Sequence, residues 1–251
     1  MKEECIPQGF RFGGHHCGLK SVAENPDYSL IVSDCDAVGV GVYTQNLVCA
    51  APVLLCRERT PSGRIRAIVT NSGNANACTG QRGLDDARTM ATDVAKQLGI
   101  EAEQVLVMST GIIGEFLPME KLTVASEHGV AQLQAGSAAF LAAAQGILTT
   151  DNGVKTAGSV VETSQGPVRI ATMAKGAGMI GPNMATMLAA VTTDAKLNPE
   201  DAQQLLKAAV DKSFNCISVD GHTSTNDTVL LLANGRANES ELTGSDLVSV
   251  S

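Results

Sequence analysis

Residues 67–110 constrain the fold more than any other part of the chain. AIVTN (67–71) is a short β-branched run of the kind that forms a strand. DDARTMATDVAKQL (85–98) places apolar residues at 87, 90, 91, 94, 95 and 98, the period of a helix, and Gly99 supplies its stop. QVLVMST (104–110) then reads as a second strand. Strands interleaved with amphipathic helices define an α/β protein. The rest of the chain agrees. Residues 29–35, 37–43, 168–174 and 228–232 read as further strands, and 119–133 and 137–148 as helices. Another helix opens at Asn198-Pro199-Glu200, with Asn as cap and Pro in the first helical position. Ala202, Leu205, Leu206 and Ala209 form its apolar face. No internal repeat, linker or low-complexity tract interrupts the pattern.

The core of such a fold has unusual raw material. Of 251 residues 44% are hydrophobic but only 3% aromatic, with no Trp, so the core must be built from Ala, Val, Leu, Ile and Met. The net charge is −8 and no Lys/Arg cluster appears, which argues against a nucleic-acid footprint. No apolar run approaches the ~20 residues of a membrane helix. The opening MKEECIPQGF lacks the basic run and apolar stretch of a secretory signal. The seven cysteines are widely spaced, odd in number and form no C-x-x-C, so free thiols in a reducing cytoplasm are expected. His15, His16 and Cys17 lack a second ligand pair at compatible spacing, so no metal is expected there. The closing SDLVSVS carries no cap and reads as a loose terminus or a fold cut midway.

The segment KGAGMIGPNMATML (175–188) admits two readings. Gly176, Gly178 and Gly181 spell G-x-G-x-x-G, the dinucleotide fingerprint. That motif needs a strand before it, a helix opening inside it and an acid ~20 residues later. The strand is present. NMATMLAAVTTD suits a strand as well as a helix, and Asp194 falls too early. In the other reading the glycines shape a loop that presents Thr186. A threonine hydroxyl is a poor nucleophile unless a base sits beside it. Cleavage between Ala185 and Thr186 would create an α-amino group on the nucleophile's own residue, with a reference pKa of about 8. One residue would then supply both nucleophile and base. Taken alone, Thr186 also fits a β-branched residue entering a strand.

Several long motifs decide between these readings: GFRFGGHHCGLK (9–20), GVYTQNLVCAAPV (41–53), NSGNANACTG (71–80), STGIIGEFLP (109–118), TTD (149–151), MAKGAGMIGPNMATML (173–188) and SVDGHTSTNDT (218–228). On these motifs, in this order, the chain resembles the ornithine acetyltransferase (glutamate N-acetyltransferase) family, self-cleaving enzymes of arginine biosynthesis. The resemblance implies a layered α/β/β/α sandwich with a self-processing, N-terminal-nucleophile-like architecture. It implies cleavage after Ala185 into an α-chain segment (1–185) and a β-chain segment (from 186), interlocked in one fold and pairing into a heterotetramer. Thr186 would be the nucleophile, Thr110 and Gly111 the oxyanion hole, and Lys175 and Thr149 substrate-binding, with Thr150 the alternative to Thr149. Acetyl would pass from N-acetylornithine to glutamate; no cofactor is implied, although some members also take acetyl-CoA as co-substrate.

Three further expectations attach to the resemblance. NSGNANACTG should be a packed loop near the site, supporting Thr110. Asp220, Asn226 and Asp227 are open between groups that support the site and turn formers. His222 stands where the family commonly has an acid and receives no role. Family members also run further at the C-terminus and draw a glutamate and tail residues from there, so the chain reads as a truncated member. The alternatives are a self-processing amidase or aminopeptidase, with water as acceptor, and an inactive relic.

Overall fold

A computed structural model of the chain describes residues 1–181 and 187–249. The strands are β1 (Phe10–His15), β2 (Tyr28–Tyr43), β3 (Ser62–Asn74), β4 (Val105–Ile112), β5 (Lys155–Thr163), β6 (Gly166–Lys175), β7 (Leu188–Thr193) and β8 (Thr228–Ala233). The helices are α1 (Ala51–Arg59), α2 (Gly80–Leu98), α3 (Met119–Ala131), α4 (Ser137–Gly146), α5 (Pro199–Lys212) and α6 (Gly244–Ser249). The strands join one sheet in the order β4-β3-β2-β8-β7-β6-β5, with β1 added to β2. Among the described residues no helix is long and apolar enough to cross a membrane.

Strand β2 makes a sandwich out of this single sheet. Its first half (Tyr28–Val32) pairs with β1 and β3, and its second half (Val38–Tyr43) pairs with β8. The register shifts between Val32 and Ala37, a bulge that bends the strand. The chain therefore has one long strand where two runs, 29–35 and 37–43, read as separate. Side chains alternate across the pleat on both sides of the bend. Ile68 of β3, Leu106 and Met108 of β4, Ala171 and Met173 of β6, Leu188 and Ala190 of β7, and Leu230 and Leu232 of β8 share one inner core. The opposite face of β2–β4 packs on α1, α2 and α3 through residues such as Val69, Val107, Leu55, Met90 and Leu122. The outer face of β7 and β8 packs on α5 through Ala189, Val229, Leu231, Ala202, Leu206 and Val210. The layers are α/β/β/α.

Local signals account for the helices that flank the sheet. Helix α2 ends at Gly99 in a left-handed conformation (φ 67°), and α5 starts with the Asn198 side chain accepting from the Asp201 N–H. Helix α1 has a different duty. Strand β4 is an edge, and its free backbone groups would invite further pairing. The Cys56 thiol lies against both the Val107 carbonyl (3.1 Å) and the Val107 N–H (3.3 Å), while the Arg59 guanidinium donates to the Val105 carbonyl. The helix closes that edge with side chains.

The structure bears on two readings of the sequence. Residues 188–193 form a strand, antiparallel to β6 and parallel to β8, where the disfavoured dinucleotide reading would need a helix. The Gly176 N–H is also already taken by the Asp151 carboxylate at 2.8 Å. Within the closing segment, which read as lacking a cap or element, residues 244–249 are helical, and Asp246 in the first turn accepts the Ser164 N–H at 3.0 Å.

Candidate active site

Strand β4 ends in Ser109, Thr110 and Gly111, beside the end of its parallel neighbour β3. Ser72 pairs with Thr110 and Gly73 with Gly111. Both glycines have positive φ, 119° at Gly73 and 135° at Gly111, where side-chain-bearing residues are strained. A Cβ on Gly111 would also overlap the backbone of Gly73 and Asn74. The Asn/Gly run forms the last four residues of β3 and the connection to α2, and it is packed and internally hydrogen-bonded. The Asn71 amide donates to the Asn74 carbonyl (2.8 Å) and its oxygen accepts from the Ser109 hydroxyl (2.6 Å). Asn74 donates to the carbonyls of Glu115 and Phe116. The run thus holds the chain on both sides of Thr110, but it does so from the end of a strand as well as from the expected loop.

Lys175 closes β6. It is 4% exposed, and its ammonium donates to the Thr149 hydroxyl at 3.2 Å. Burial lowers its pKa to about 8, while the charges of Asp151 and Asp227 work in the opposite direction. Asp151 is held by the Gly176 N–H and by Lys155, and these bonds keep its pKa below the usual carboxylate value against the cost of burial. A lysine so placed is a single compact cation in a dry wall, suited to a carboxylate.

These segments, far apart in sequence, meet at one cleft of about 540 Å³, lined by Thr110, Gly111, Thr149, Thr150, Lys175 and Lys20 among others. Four of the residues named from the sequence are therefore neighbours in space: Thr110, Gly111, Thr149 and Lys175. Thr150 lines the same wall, but the Thr149 hydroxyl is the one on Lys175. Ala185 and Thr186 lie outside the described residues.

Lys20 carried no signal of its own in the sequence. Its ammonium bonds the carbonyls of Pro26 (2.6 Å) and Leu148 (2.7 Å), tying the β1–β2 connection to the segment that carries Thr149. The three polar residues left open now separate. Asp220 shapes the glycine loop by accepting the N–H groups of Met179 (2.7 Å) and Ile180 (2.9 Å). Asn226 is buried and donates to the carbonyls of Ala75 (2.6 Å) and Ser109 (2.9 Å). Asp227 is fully buried, and its Oδ1 accepts from the Met187 N–H at 3.1 Å. Desolvation raises its pKa to about 7, with the Met187 N–H, the Ser224 hydroxyl and backbone N–H, and last Lys175 opposing the rise. His222 is exposed and near Asp220 rather than the cleft.

The layered sheets define the class of fold. They match the l-aminopeptidase d-ala-esterase/amidase of Ochrobactrum anthropi, described as a variant of the Ntn hydrolase fold, with a TM-score of 0.55 over 91% of this chain and 72% of that one. At 10% identity that likeness is one of fold alone. The chain belongs to the ArgJ family, whose sequence model matches residues 11–249. It is 49% identical over 230 residues to the arginine biosynthesis bifunctional protein ArgJ of Rhodopirellula baltica, covering 92% of this chain and 56% of that protein. The ArgJ protein of Thermotoga neapolitana is 46% identical over 235 residues, covering 92% and 58%. The chain thus spans somewhat more than half the length of these relatives. Among solved structures, ArgJ of Bacillus halodurans matches with a TM-score of 0.65 and 39% identity, over 70% of this chain and 91% of that one. The ornithine acetyltransferase of Mycobacterium tuberculosis, solved with ornithine, matches with a TM-score of 0.64 and 38% identity, over 70% and 92%.

Proposed function

We propose that this chain carries the acyl-transfer centre of an enzyme that moves acetyl from N-acetylornithine to glutamate through an acetyl-threonine intermediate on Thr186. The observation that carries the reading is the convergence of Thr110, Gly111, Thr149 and Lys175 on one cleft. Family membership and the ornithine named with the M. tuberculosis structure support the choice of substrate. The roles follow from chemistry. Cleavage after Ala185 divides the chain into 1–185 and a segment from 186, and frees the Thr186 amine. The Thr186 hydroxyl attacks the acetyl carbonyl and its proton passes to that amine. Thr110 and Gly111 hold the oxyanion that forms. The C–N bond breaks, the amine returns the proton to the leaving ornithine nitrogen, and the glutamate amine takes the acetyl group by the reverse path. Lys175, with Thr149 beside it, holds the substrate carboxylate. Acetyl-CoA as a further donor, pairing of the segments into a heterotetramer and a cytoplasmic site of action belong to the same reading.

The experiment is a denaturing gel with N-terminal sequencing of the protein expressed from its own gene, followed by an assay of acetylornithine with and without glutamate. Two fragments are expected, one beginning TMLAAV, with ornithine release that depends on glutamate. Thr186→Ala should give one uncut, inactive chain, and Thr186→Ser a slowly cut one. A cut elsewhere, or an active uncut Ala variant, overturns the mechanism. Release that needs only water makes the protein an amidase of the same self-processing kind.

A further inference from the structure

We propose that Asp151 is a positioning residue for substrate binding: it fixes the chain directly after Lys175 and supplies the buried counter-charge for that lysine's ammonium, while leaving the ammonium's donors to the substrate carboxylate. The proposal deepens the acyl-transfer reading above and rests on it for the substrate.

The placement comes from strand register. Strands β5 and β6 are antiparallel with Lys155 opposite Ala174, so the segment leading into β5 runs beside the end of β6. Two bonds tie these segments together. The Lys175 ammonium donates to the Thr149 hydroxyl at 3.2 Å, and the Gly176 N–H donates to Asp151 Oδ1 at 2.8 Å. Residues 149 and 151 thus hold consecutive residues of the facing segment, one by its side chain and the next by its backbone. Thr149, Thr150 and Lys175 line the cleft, whereas the Asp151 side chain is buried outside that lining. Asp151 therefore acts through Lys175 and not on the substrate itself.

A buried ammonium needs an anion nearby, and it needs free donors if it is to bind a carboxylate. A carboxylate bonded directly to Lys175 would meet the first need and defeat the second. Asp151 meets both. Its Oδ1 is taken by the Gly176 N–H and the Lys155 ammonium, and its buried Oδ2 accepts no hydrogen bond from a described residue. Its charge acts on Lys175 across a dry wall, where Coulomb forces are weakly screened, without a bond between the two. Among the described residues the Lys175 ammonium bonds Thr149 alone, so donors remain for a ligand. Four charged groups act on Lys175. Asp151 is the stronger of the two that favour its charged form and Asp227 the weaker, while Lys155 of β5 and Lys20 of the β1–β2 connection oppose it. Lys155 is half-exposed, and water and salt screen it. Of the two carboxylates, burial raises the pKa of Asp227 to about 7, so near neutral pH it is only partly charged. Burial also works against the Asp151 charge, but its bonds to Lys155 and Gly176 outweigh that cost and keep it ionised.

The test is Asp151→Asn in the protein expressed from its own gene. Asn keeps an oxygen for the Gly176 N–H and removes the charge. The alkaline limb of kcat/KM for acetylornithine, set by loss of the Lys175 proton, should move about one unit toward acid, the scale of one lost neighbouring charge. KM at pH 8 should then rise about fivefold, the loss of charged lysine that such a move implies, and by more than kcat falls. In a Lys175→Met background the same substitution should change KM by less than about twofold. A merely structural Asp151 would raise KM in both backgrounds and leave the limb in place. An unmoved limb in Asp151→Asn protein overturns the proposal and leaves the acyl-transfer reading intact; an unmodified protein without transfer activity overturns that reading instead. If the Asn variant does not fold, or no transfer is seen, carbon-13 titration of the Asp151 carboxyl decides. Its midpoint should lie about half a unit or more higher in Lys175→Met protein than in unmodified protein, and equal midpoints overturn the proposal.

Discussion

The Asn226 side-chain amide donates to the Ser109 carbonyl across 2.9 Å, fastening the lead-in of β8 to the residue before Thr110. The same amide reaches the Ala75 carbonyl, so one buried group joins three segments that are distant in sequence. Asn226→Asp would replace that donor with an acceptor facing two carbonyls. The expected cost is roughly 2–4 kcal/mol, from two lost bonds and a buried charge. Denaturant unfolding at pH 7 measures it. A variant within 0.5 kcal/mol of the parent, about the scatter of surface substitutions, would show that the contact does not hold the site.

Thr110 and Gly111 are separable by substitution. Thr110→Ala removes a hydroxyl at the cleft and should leave stability nearly unchanged, while kcat falls by about a hundredfold or more, the scale of a lost oxyanion donor. Gly111→Ala should instead fail structurally, because its Cβ would overlap the β3 backbone at a φ of 135°. A loss of roughly 3 kcal/mol or more is expected, visible as a lowered Tm. Full turnover in Thr110→Ala would remove the hydroxyl from the oxyanion site.

What could be read from the sequence follows from how each element is exposed. Helices α2 and α5 lie on the outside of the sheets, so each shows one apolar face and an end signal in its residues. Strands β6 and β8 carry β-branched or apolar runs. Helix α1 hides because Cys56 and Arg59, ambiguous in sequence, face the β4 edge. Strand β5 is mostly exposed and has few apolar positions to mark it, and the Gly13-Gly14 pair breaks the pattern of β1. The two halves of β2 read as separate strands, 29–35 and 37–43, because the charged Asp36 interrupts the run; the register shift there is a bulge within one strand, whose Asp34 pairs with Arg11 at 2.8 Å.

The candidate site divides in the same manner. Thr110, Gly111, Thr149 and Lys175 could be named through whole motifs, and they converge. Lys20 could not, because its two carbonyl partners are set by tertiary contacts between residues 26 and 148. Asp227 sits in a run of Ser, Thr and Asn that reads equally well as a turn. Its burial and its partner Met187 come from the parallel pairing of β7 with β8, which no local pattern announces.

Lys175→Met should raise KM for acetylornithine at least tenfold and leave chain cleavage detectable, since the lysine holds substrate and moves no proton. Stability should move the other way. The folded pKa of about 8 lies below the ordinary 10.5, so the charged lysine opposes folding below pH 8 and that penalty fades as pH rises toward 10.5. The Met variant should therefore be more stable at pH 7, by roughly 1–3 kcal/mol, with the difference shrinking in alkali. An unchanged KM would take Lys175 out of the site; a less stable variant at pH 7 would show that its partners repay its burial.

Asp227 gives the companion prediction with the opposite pH sense. Its folded pKa of about 7 stands above the ordinary 3.8. A raised carboxyl favours the folded state below the lower value, and that contribution is lost as pH climbs through the upper one. In the uncut Thr186→Ala background, Asp227→Asn should match its parent near pH 4, where the parent carboxyl is protonated in the folded state. A gap in favour of Asn should open between pH 4 and 7 and stay constant above, at roughly 1–4 kcal/mol. Asn keeps the bond to Met187 and leaves one amide unpaired, a smaller cost than an unpaired charge. Urea midpoints across pH for the two proteins measure the gap. If the Asn variant is the less stable one at pH 8, the Met187 N–H, Ser224 and Lys175 together repay the burial of the Asp227 carboxylate.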